Sequence, residues 1–246
     1  MGKAYEKVYE VTYGETDGRK DCRITSMMNF FSDCCLSQEE KNSMNYADNS
    51  SETTWVFFDY EIIVNRYPRY REKIKVKTYV ESIRKFYSNR VFEAYDMDGA
   101  LVARADVLAF LINKKTRRPA RISDEEYEIH GLSKESSKLL RKKLNFEKFD
   151  KEDLEMKFHI RYLDIDLNMH VSNIKYVEWI LETVPVDIVL NYKMKKIKIK
   201  FEKEITYGHN VIIKSKIIKG EDEVKVFHKV ENEEGESITL AETYWY

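Results

Sequence analysis

Hydrophobic and polar positions along the 246-residue chain fall into one succession of textures that occurs twice. Residues 5–13 alternate weakly and predict a first strand. A helix follows, in which Met27, Met28, Phe31, Cys34 and Cys35 recur at helical spacing as a single apolar stripe, with Thr25 or Ser26 as its cap. Residues 39–53 are polar and read as loop. From Trp55 the period drops to two, predicting strands at 55–64, 72–81, 87–96 and 101–113, the last two joined at Asp98-Gly99. Charge dominates 124–153, where 133–145 reads as a basic connecting helix (Lys134, Lys138, Arg141, Lys142, Lys143) with a solvated face. The succession then returns. A strand at 155–162 leads to a polar segment and a helix that Pro185 stops, followed by strands at 193–203, 210–218, 225–231 and 237–246, with Glu234-Gly235 in the place of Asp98-Gly99. A helix followed by a run of antiparallel strands, twice over, is an α+β pattern and predicts an internal duplication.

The two copies differ where the second enters its helix. In Asp164-Ile165-Asp166-Leu167-Asn168-Met169-His170-Val171-Ser172-Asn173, a carboxylate, a carboxamide and an imidazole stand at every second position. An extended segment would send Asp166, Asn168 and His170 to one side and Leu167, Met169 and Val171 to the other, into a core. Ser172 or Asn173 would cap the helix, whose buried stripe is Ile174, Val177, Leu181 and Val184. The same three polar residues could instead form a turn that only caps this helix. Aligning Ile24-Thr25-Ser26-Met27 with Val171-Ser172-Asn173-Ile174 sets the trio opposite Arg19, Asp21 and Arg23. A purely structural cap has no reason to differ so sharply between copies, which favours chemistry in the second.

Composition removes several classes. The formal net charge is −1, from 42 Lys+Arg against 43 Asp+Glu, so no whole-chain field favours nucleic acid. No apolar run spans a bilayer, and the first residues lack the apolar core of a signal peptide, which leads to an expected cytoplasmic location. Cys22, Cys34 and Cys35 lack metal-ligand spacing and read as reduced thiols, so neither metal nor cofactor is expected.

The motif 164–173 with Tyr176, Trp179 and Leu181-Glu182 resembles the second-domain signature of the acyl-acyl-carrier-protein thioesterases of plants and bacteria. Trp55-Val56, the run from Asn65 to Arg71 and the run from Asn113 to Arg118 are similar to first-domain motifs of that family, in the same order, and the missing plant-type leader points to a bacterial member. The resemblance implies a tandem, or double, hotdog fold, each a long helix wrapped by an antiparallel sheet. It implies an N-terminal hotdog over 1–130 holding the acyl pocket, a basic connecting segment over 131–150 and a C-terminal hotdog over 151–246 holding the catalytic residues. Carried over position by position, the catalytic set falls on Asp166, Asn168, His170 and Glu204, and the acyl pocket on Met27, Met28, Phe31 and Trp55. Plant members carry a cysteine after the glutamate; Ile205 here favours a water activated by a carboxylate over a cysteine nucleophile. Glu204 in a partly desolvated cleft would suit a general base. Asp166 would orient His170 or Asn168, or take part directly.

The implied reaction is hydrolysis of fatty acyl-acyl-carrier-protein to free fatty acid, by a monomer or homodimer; an acyl-CoA thioesterase of the same fold is the alternative. An acidic carrier protein would dock on Arg66, Arg69, Arg71, Lys114, Lys115, Arg117 and Arg118, together with Lys193, Lys195 and Lys196. His159, His209 and His228 read as bystanders on charged surface strands.

Overall fold

The protein is described from a computed structural model, covering residues 2–42, 52–134 and 143–246. It divides into two compact units, Met1–Lys143 and Leu144–Tyr246. In the first, β1 (Tyr5–Glu10), a 3-10 turn at Tyr13–Glu15 and α1 (Ile24–Lys41) precede β2 (Thr53–Val64), β3 (Lys73–Arg84), β4 (Tyr87–Asp96), β5 (Leu101–Asn113) and the short α2 (Asp124–Ile129). In the second, β6 (Leu154–His159), a 3-10 turn at Tyr162–Asp164 and α3 (Asn173–Glu182) precede α4 (Val186–Asn191), β7 (Met194–Phe201), β8 (Asn210–Lys219), β9 (Val224–Asn232) and β10 (Ser237–Trp245). The first unit's strands run β1-β3-β4-β5-β2 and the second's β6-β8-β9-β10-β7, with antiparallel pairing within each unit. The orders coincide when β1 is matched to β6 and each later strand to its counterpart, so one folding pattern is used twice.

The first helix lies on its sheet through the stripe its sequence prescribes, whereas α3 buries Tyr176, Val177, Trp179 and Ile180. Of the expected stripe Ile174, Val177, Leu181 and Val184, only Val177 and Val184 are buried; the aromatic side chains turn the helix onto the neighbouring face. Met27, Phe31 and Cys34 of α1 are fully buried, and Phe31 stacks on Phe92 of β4 with ring centroids 5.3 Å apart. In the second unit Tyr176 and Trp179 of α3 pack in an aromatic cluster with Phe158 of β6 and Phe201 of β7, with centroids 5.7–5.9 Å apart. Gly99 and Gly235 occupy equivalent hairpin turns at φ +89° and +78°, a conformation that glycine adopts without the Cβ penalty.

Several boundaries differ from the sequence expectation. The α1 cap is Arg23; Thr25 and Ser26 are buried inside the helix, which runs through 39–41 because its stripe continues to Gln38 and Glu39. These two polar residues are buried because Arg90 of β4 donates to both, to Gln38 Oε1 at 2.6 Å and to Glu39 Oε1. Residues 43–51, part of the expected loop, and 135–142, most of the expected basic helix, lie outside the described residues; 143–145 are not helical. Short α2, capped by the Ser123 hydroxyl, went unpredicted inside the charged stretch.

His228 is a correction. It is not a surface bystander: β9 turns it inward, where it is 2 % exposed. Its Nδ1 lies 2.8 Å from Ser215 Oγ and 3.3 Å from Thr183 Oγ1, and its Nε2 lies 3.1 Å from Thr243 Oγ1. Three hydroxyls from one helix cap and two strands thus satisfy a buried neutral imidazole. Burial pushes its pKa down to about 3 from 6.5. Between those values the unfolded chain takes up a proton that the folded chain refuses. The stability is therefore fully present above about pH 6.5 and is lost on acidification, at about 1.4 kcal/mol per pH unit. Urea unfolding of wild type and His228→Gln across that range should show the gap between them changing at that slope; parallel curves would mean His228 is not a buried neutral base.

Candidate functional site

The segment between the 3-10 turn and α3 is not extended. It is a tight turn closed by backbone pairing of Ile165 with Val171. The Asp166 N–H donates to the His170 carbonyl at 2.8 Å, and the Met169 N–H to the Asp166 carbonyl at 3.1 Å. Met169 sits at φ +63°, a left-handed conformation that costs a side-chain-bearing residue roughly 1–2 kcal/mol. Asp166 holds the chain there: its Oδ1 accepts from the N–H of Asn168 at 2.8 Å and of His170 at 3.4 Å. Asp164 anchors the entry. Its buried carboxylate accepts from the Arg161 backbone at 2.8 Å and guanidinium at 2.9 Å. Burial opposes ionisation of Asp164, but the Arg161 bonds outweigh it and hold the carboxyl below its usual range.

The expected alternation into a core therefore fails. Val171 is buried, whereas Leu167 and Met169 project into solvent, because a turn has no second face to cover. Asn168 is also exposed, and its amide makes no hydrogen bond among the described residues. The turn brings together His170 and Glu204. The Val171 N–H donates to the Ile205 carbonyl at 2.9 Å, tying the turn to the segment that follows β7. The residues just before each partner, His170 and Glu204, then face one another, with Nε2 3.5 Å from Oε2. Their side chains are 30 % and 37 % exposed, so the partly desolvated cleft expected around Glu204 is open to water. Beneath them Tyr176, buried in α3, has its hydroxyl held neutral by burial first, then by the charges of Glu204 and Asp166. Sequence reasoning noted Tyr176 only as part of a motif; its helical position one turn inside the cap was the available signal.

The first unit repeats this backbone. Asp17 Oδ1 accepts from Arg19 N–H at 2.8 Å and Asp21 N–H at 3.0 Å, Asp17 N–H donates to the Asp21 carbonyl at 2.8 Å, and Lys20 lies at φ +64°. The Cys22 N–H donates to the Pro68 carbonyl at 2.7 Å as Val171 does to Ile205. The correct pairing is thus Ile24 with Asn173, two residues from the sequence alignment, and the counterparts of Asp166, Asn168 and His170 are Asp17, Arg19 and Asp21. The aspartate is common to both turns, as a structural cap must be. What differs is His170 beside Glu204 in one unit, against Asp21 paired with Arg69 at 3.6 Å and Tyr67 at the Glu204 position in the other.

The remaining expected site residues are dispersed. Met27, Met28 and Phe31 are buried in the first unit's core, and Trp55 is half-buried against a different cluster that contains Val80, Ile83 and Leu111. Of the docking cations, Arg66 is bound to Glu72 and Asp96, Arg69 to Asp21 and Arg71 to Glu10, so their charges are met within the unit. Lys114, Lys115, Arg117 and Arg118 line the exposed turn after β5, and Lys193, Lys195 and Lys196 lie at the start of β7. Cys22, Cys34 and Cys35 are free and buried, and burial pushes the thiols of Cys22 and Cys34 up to about 12. Among the described residues no group of His, Cys, Asp and Glu is arranged to hold a metal, and no helix is long and apolar enough to cross a membrane.

Residues 2–130 match the acyl-ACP thioesterase N-terminal domain and residues 147–246 the acyl-ACP thioesterase C-terminal domain. A palmitoyl-acyl carrier protein thioesterase of Arabidopsis thaliana is 25 % identical over 228 residues, covering 87 % of this chain and 55 % of the plant protein. The chain spans about half the length of that plant relative. A crystal structure from Lactobacillus plantarum superposes with a TM-score of 0.93 at 23 % identity, covering 99 % of this chain and 96 % of the other. An acyl-ACP thioesterase from Bacteroides thetaiotaomicron does so with a TM-score of 0.84 at 19 % identity, covering 99 % and 98 %.

The shared turn yields a test of Asp166. Asp17→Ala and Asp166→Ala should each lower the unfolding free energy by about 1–3 kcal/mol, the cost of leaving turn N–H groups without their acceptor. Asp166→Asn, which keeps an oxygen in place, should recover most of that loss. Denaturant midpoints measure it, and an Asp166→Ala protein as stable as wild type would show that the carboxylate does not hold the turn.

Proposed function

Because the chain belongs to the acyl-ACP thioesterase family, we propose that it hydrolyses the thioester of a fatty acyl chain carried on acyl carrier protein and releases the free acid. The observation that carries this reading is the His170–Glu204 pair, present on a backbone turn whose counterpart in the other unit carries an Asp–Arg pair. A five-stranded antiparallel sheet with a helix packed on it in each unit supports the double-hotdog architecture.

Thioester hydrolysis needs a base for water, a donor for the developing oxyanion and a leaving group that departs readily. Glu204 is the base: it takes a proton from water as the water oxygen attacks the carbonyl carbon. His170, 3.5 Å from it, steadies that carboxylate and passes a proton toward the sulfur as the carbon–sulfur bond breaks. The contact is long for a hydrogen bond, as such pairs commonly are before substrate closes them. The leaving thiolate, with a pKa near 8.5 as a free thiol, needs little acid assistance, so no Ser-His-Asp triad is required. Asn168 is free at the turn tip to donate its amide to the oxyanion or the attacking water. Asp166 acts through the turn as a positioning residue.

His170→Ala and Glu204→Ala should each reduce hydrolysis of a long-chain acyl carrier protein by about 10²-fold or more while the protein stays folded. Near-normal turnover in either variant removes that residue from the mechanism, and faster wild-type hydrolysis of acyl-CoA than of acyl carrier protein replaces the carrier substrate with CoA.

The buried cysteines should be spectators. A Cys22→Ser/Cys34→Ser/Cys35→Ser protein is expected to lose stability through buried hydroxyls, yet its folded fraction should turn over normally. Stoichiometric loss of activity on alkylating one cysteine, with the fold intact, would reinstate a thiol nucleophile.

A further inference from the structure

The turn that carries His170 is surrounded by exposed apolar side chains. Tyr162, Leu163, Leu167, Met169 and Tyr207 are 77, 80, 94, 70 and 61 % exposed. Single exposed hydrophobic residues are ordinary, but a contiguous set at one site calls for a partner. All five lie on the two segments that the Val171–Ile205 bond ties together, the same two segments that carry His170 and Glu204.

The first unit serves as an internal control, because its backbone follows the same path. Tyr13 and Tyr70 stand where Tyr162 and Tyr207 stand, but Gly14, Gly18 and Lys20 occupy the positions of Leu163, Leu167 and Met169. Lys20 and Met169 share the left-handed conformation, so the turn geometry does not require an apolar residue there. Leucine at 94 % exposure contributes nothing to the core either. The two tyrosines are thus common to both turns, while the three aliphatic members of this apolar collar, Leu163, Leu167 and Met169, are confined to the unit with the candidate catalytic pair and are dispensable for the turn itself.

Resting on the thioester-hydrolase reading, we infer that this collar is the seat of the acyl carrier protein at the site. A small thioester has no use for side chains that project into solvent beside the reacting pair, whereas the protein that delivers the acyl arm must come to rest there. The charges at the rim are already met within the unit: Arg161 by Asp164, Lys175 by Glu178 and Lys203 by Glu236, at 2.9, 2.7 and 2.8 Å. Final seating is thus apolar.

The test gives the collar the residues of the other turn: Leu163→Gly, Leu167→Gly and Met169→Lys together, beside a single Leu167→Ser protein that disturbs the backbone least. Two readouts are taken, kcat/KM on acyl carrier protein and on an acyl-N-acetylcysteamine thioester, together with titration of unacylated carrier protein against the enzyme. The collar predicts a rise of about tenfold or more in carrier KM and Kd for the triple variant, and a smaller one for Leu167→Ser, with the small thioester unaffected. The shift should persist at 0.5 M salt. Equal losses on both substrates, or no change on either, would overturn the inference. So would a wild-type dimer, or wild-type binding to phosphatidylglycerol vesicles, that the substitutions abolish. A wild type that hydrolyses neither substrate would end the hydrolase reading, and the carrier titration would still decide the collar by itself.

Discussion

The site depends on one backbone hydrogen bond, from the Val171 N–H to the Ile205 carbonyl at 2.9 Å. It joins two segments far apart in the chain, and the residues immediately before the bonded pair are the two whose side chains meet. Each has its own support. The Asp166 carboxylate holds one side in a conformation that Met169 would not choose unaided. On the other side Ile205 is itself buried, which fixes the chain where it leaves β7. The aromatic cluster of Tyr176, Trp179, Phe158 and Phe201 then seats α3 on its sheet and carries the turn with it. Precision at the site comes from backbone pairing over a packed core, while the side chains of His170 and Glu204 remain partly open to water.

The same device occurs twice with different contents. In the first unit the Cys22–Pro68 bond and the Asp17 cap build an equivalent turn, yet Asp21 faces Arg69. A guanidinium beside a carboxylate can only donate hydrogen bonds, whereas an imidazole beside a carboxylate can donate or accept. The scaffold is therefore separable from the chemistry: duplication supplied two turns, and the identity of a few side chains decided which one is suited to proton transfer. The aspartate common to both belongs to the scaffold. In the second unit its Oδ1 accepts from the N–H groups of Asn168 and His170, the two residues that share its motif.

Buried polar groups follow the same economy in both units. His228 is satisfied by Ser215, Thr183 and Thr243, and Arg90 by Gln38, Glu39 and Thr78. Each network ties a helix to a strand of its own unit's sheet, through Thr183 in one case and through Gln38 and Glu39 in the other. Such networks hold a core in one arrangement when their members are paired; in the Arg90 network Glu39 Oε2 is buried without a hydrogen bond.

By itself the sequence determined the α+β class, the duplicated order of elements and the place of the unusual turn. Periodicity and glycine-marked hairpins are local properties that any packing of these strands must respect, which is why Asp98-Gly99 and Glu234-Gly235 read correctly. It also singled out His170 and Glu204, through resemblance to a known family. Tertiary structure alone decided that Asp166 faces its own backbone, that Leu167 and Met169 face solvent and that Arg66, Arg69 and Arg71 are met by acids within the unit. It also decided that His228 faces the core. The reason is common to all four. A period of two assigns faces only while the chain is extended, and charge counts assign surface only when partners are distant. Whether a segment turns, and which acid waits beside which cation, depends on contacts between residues that the chain order keeps apart.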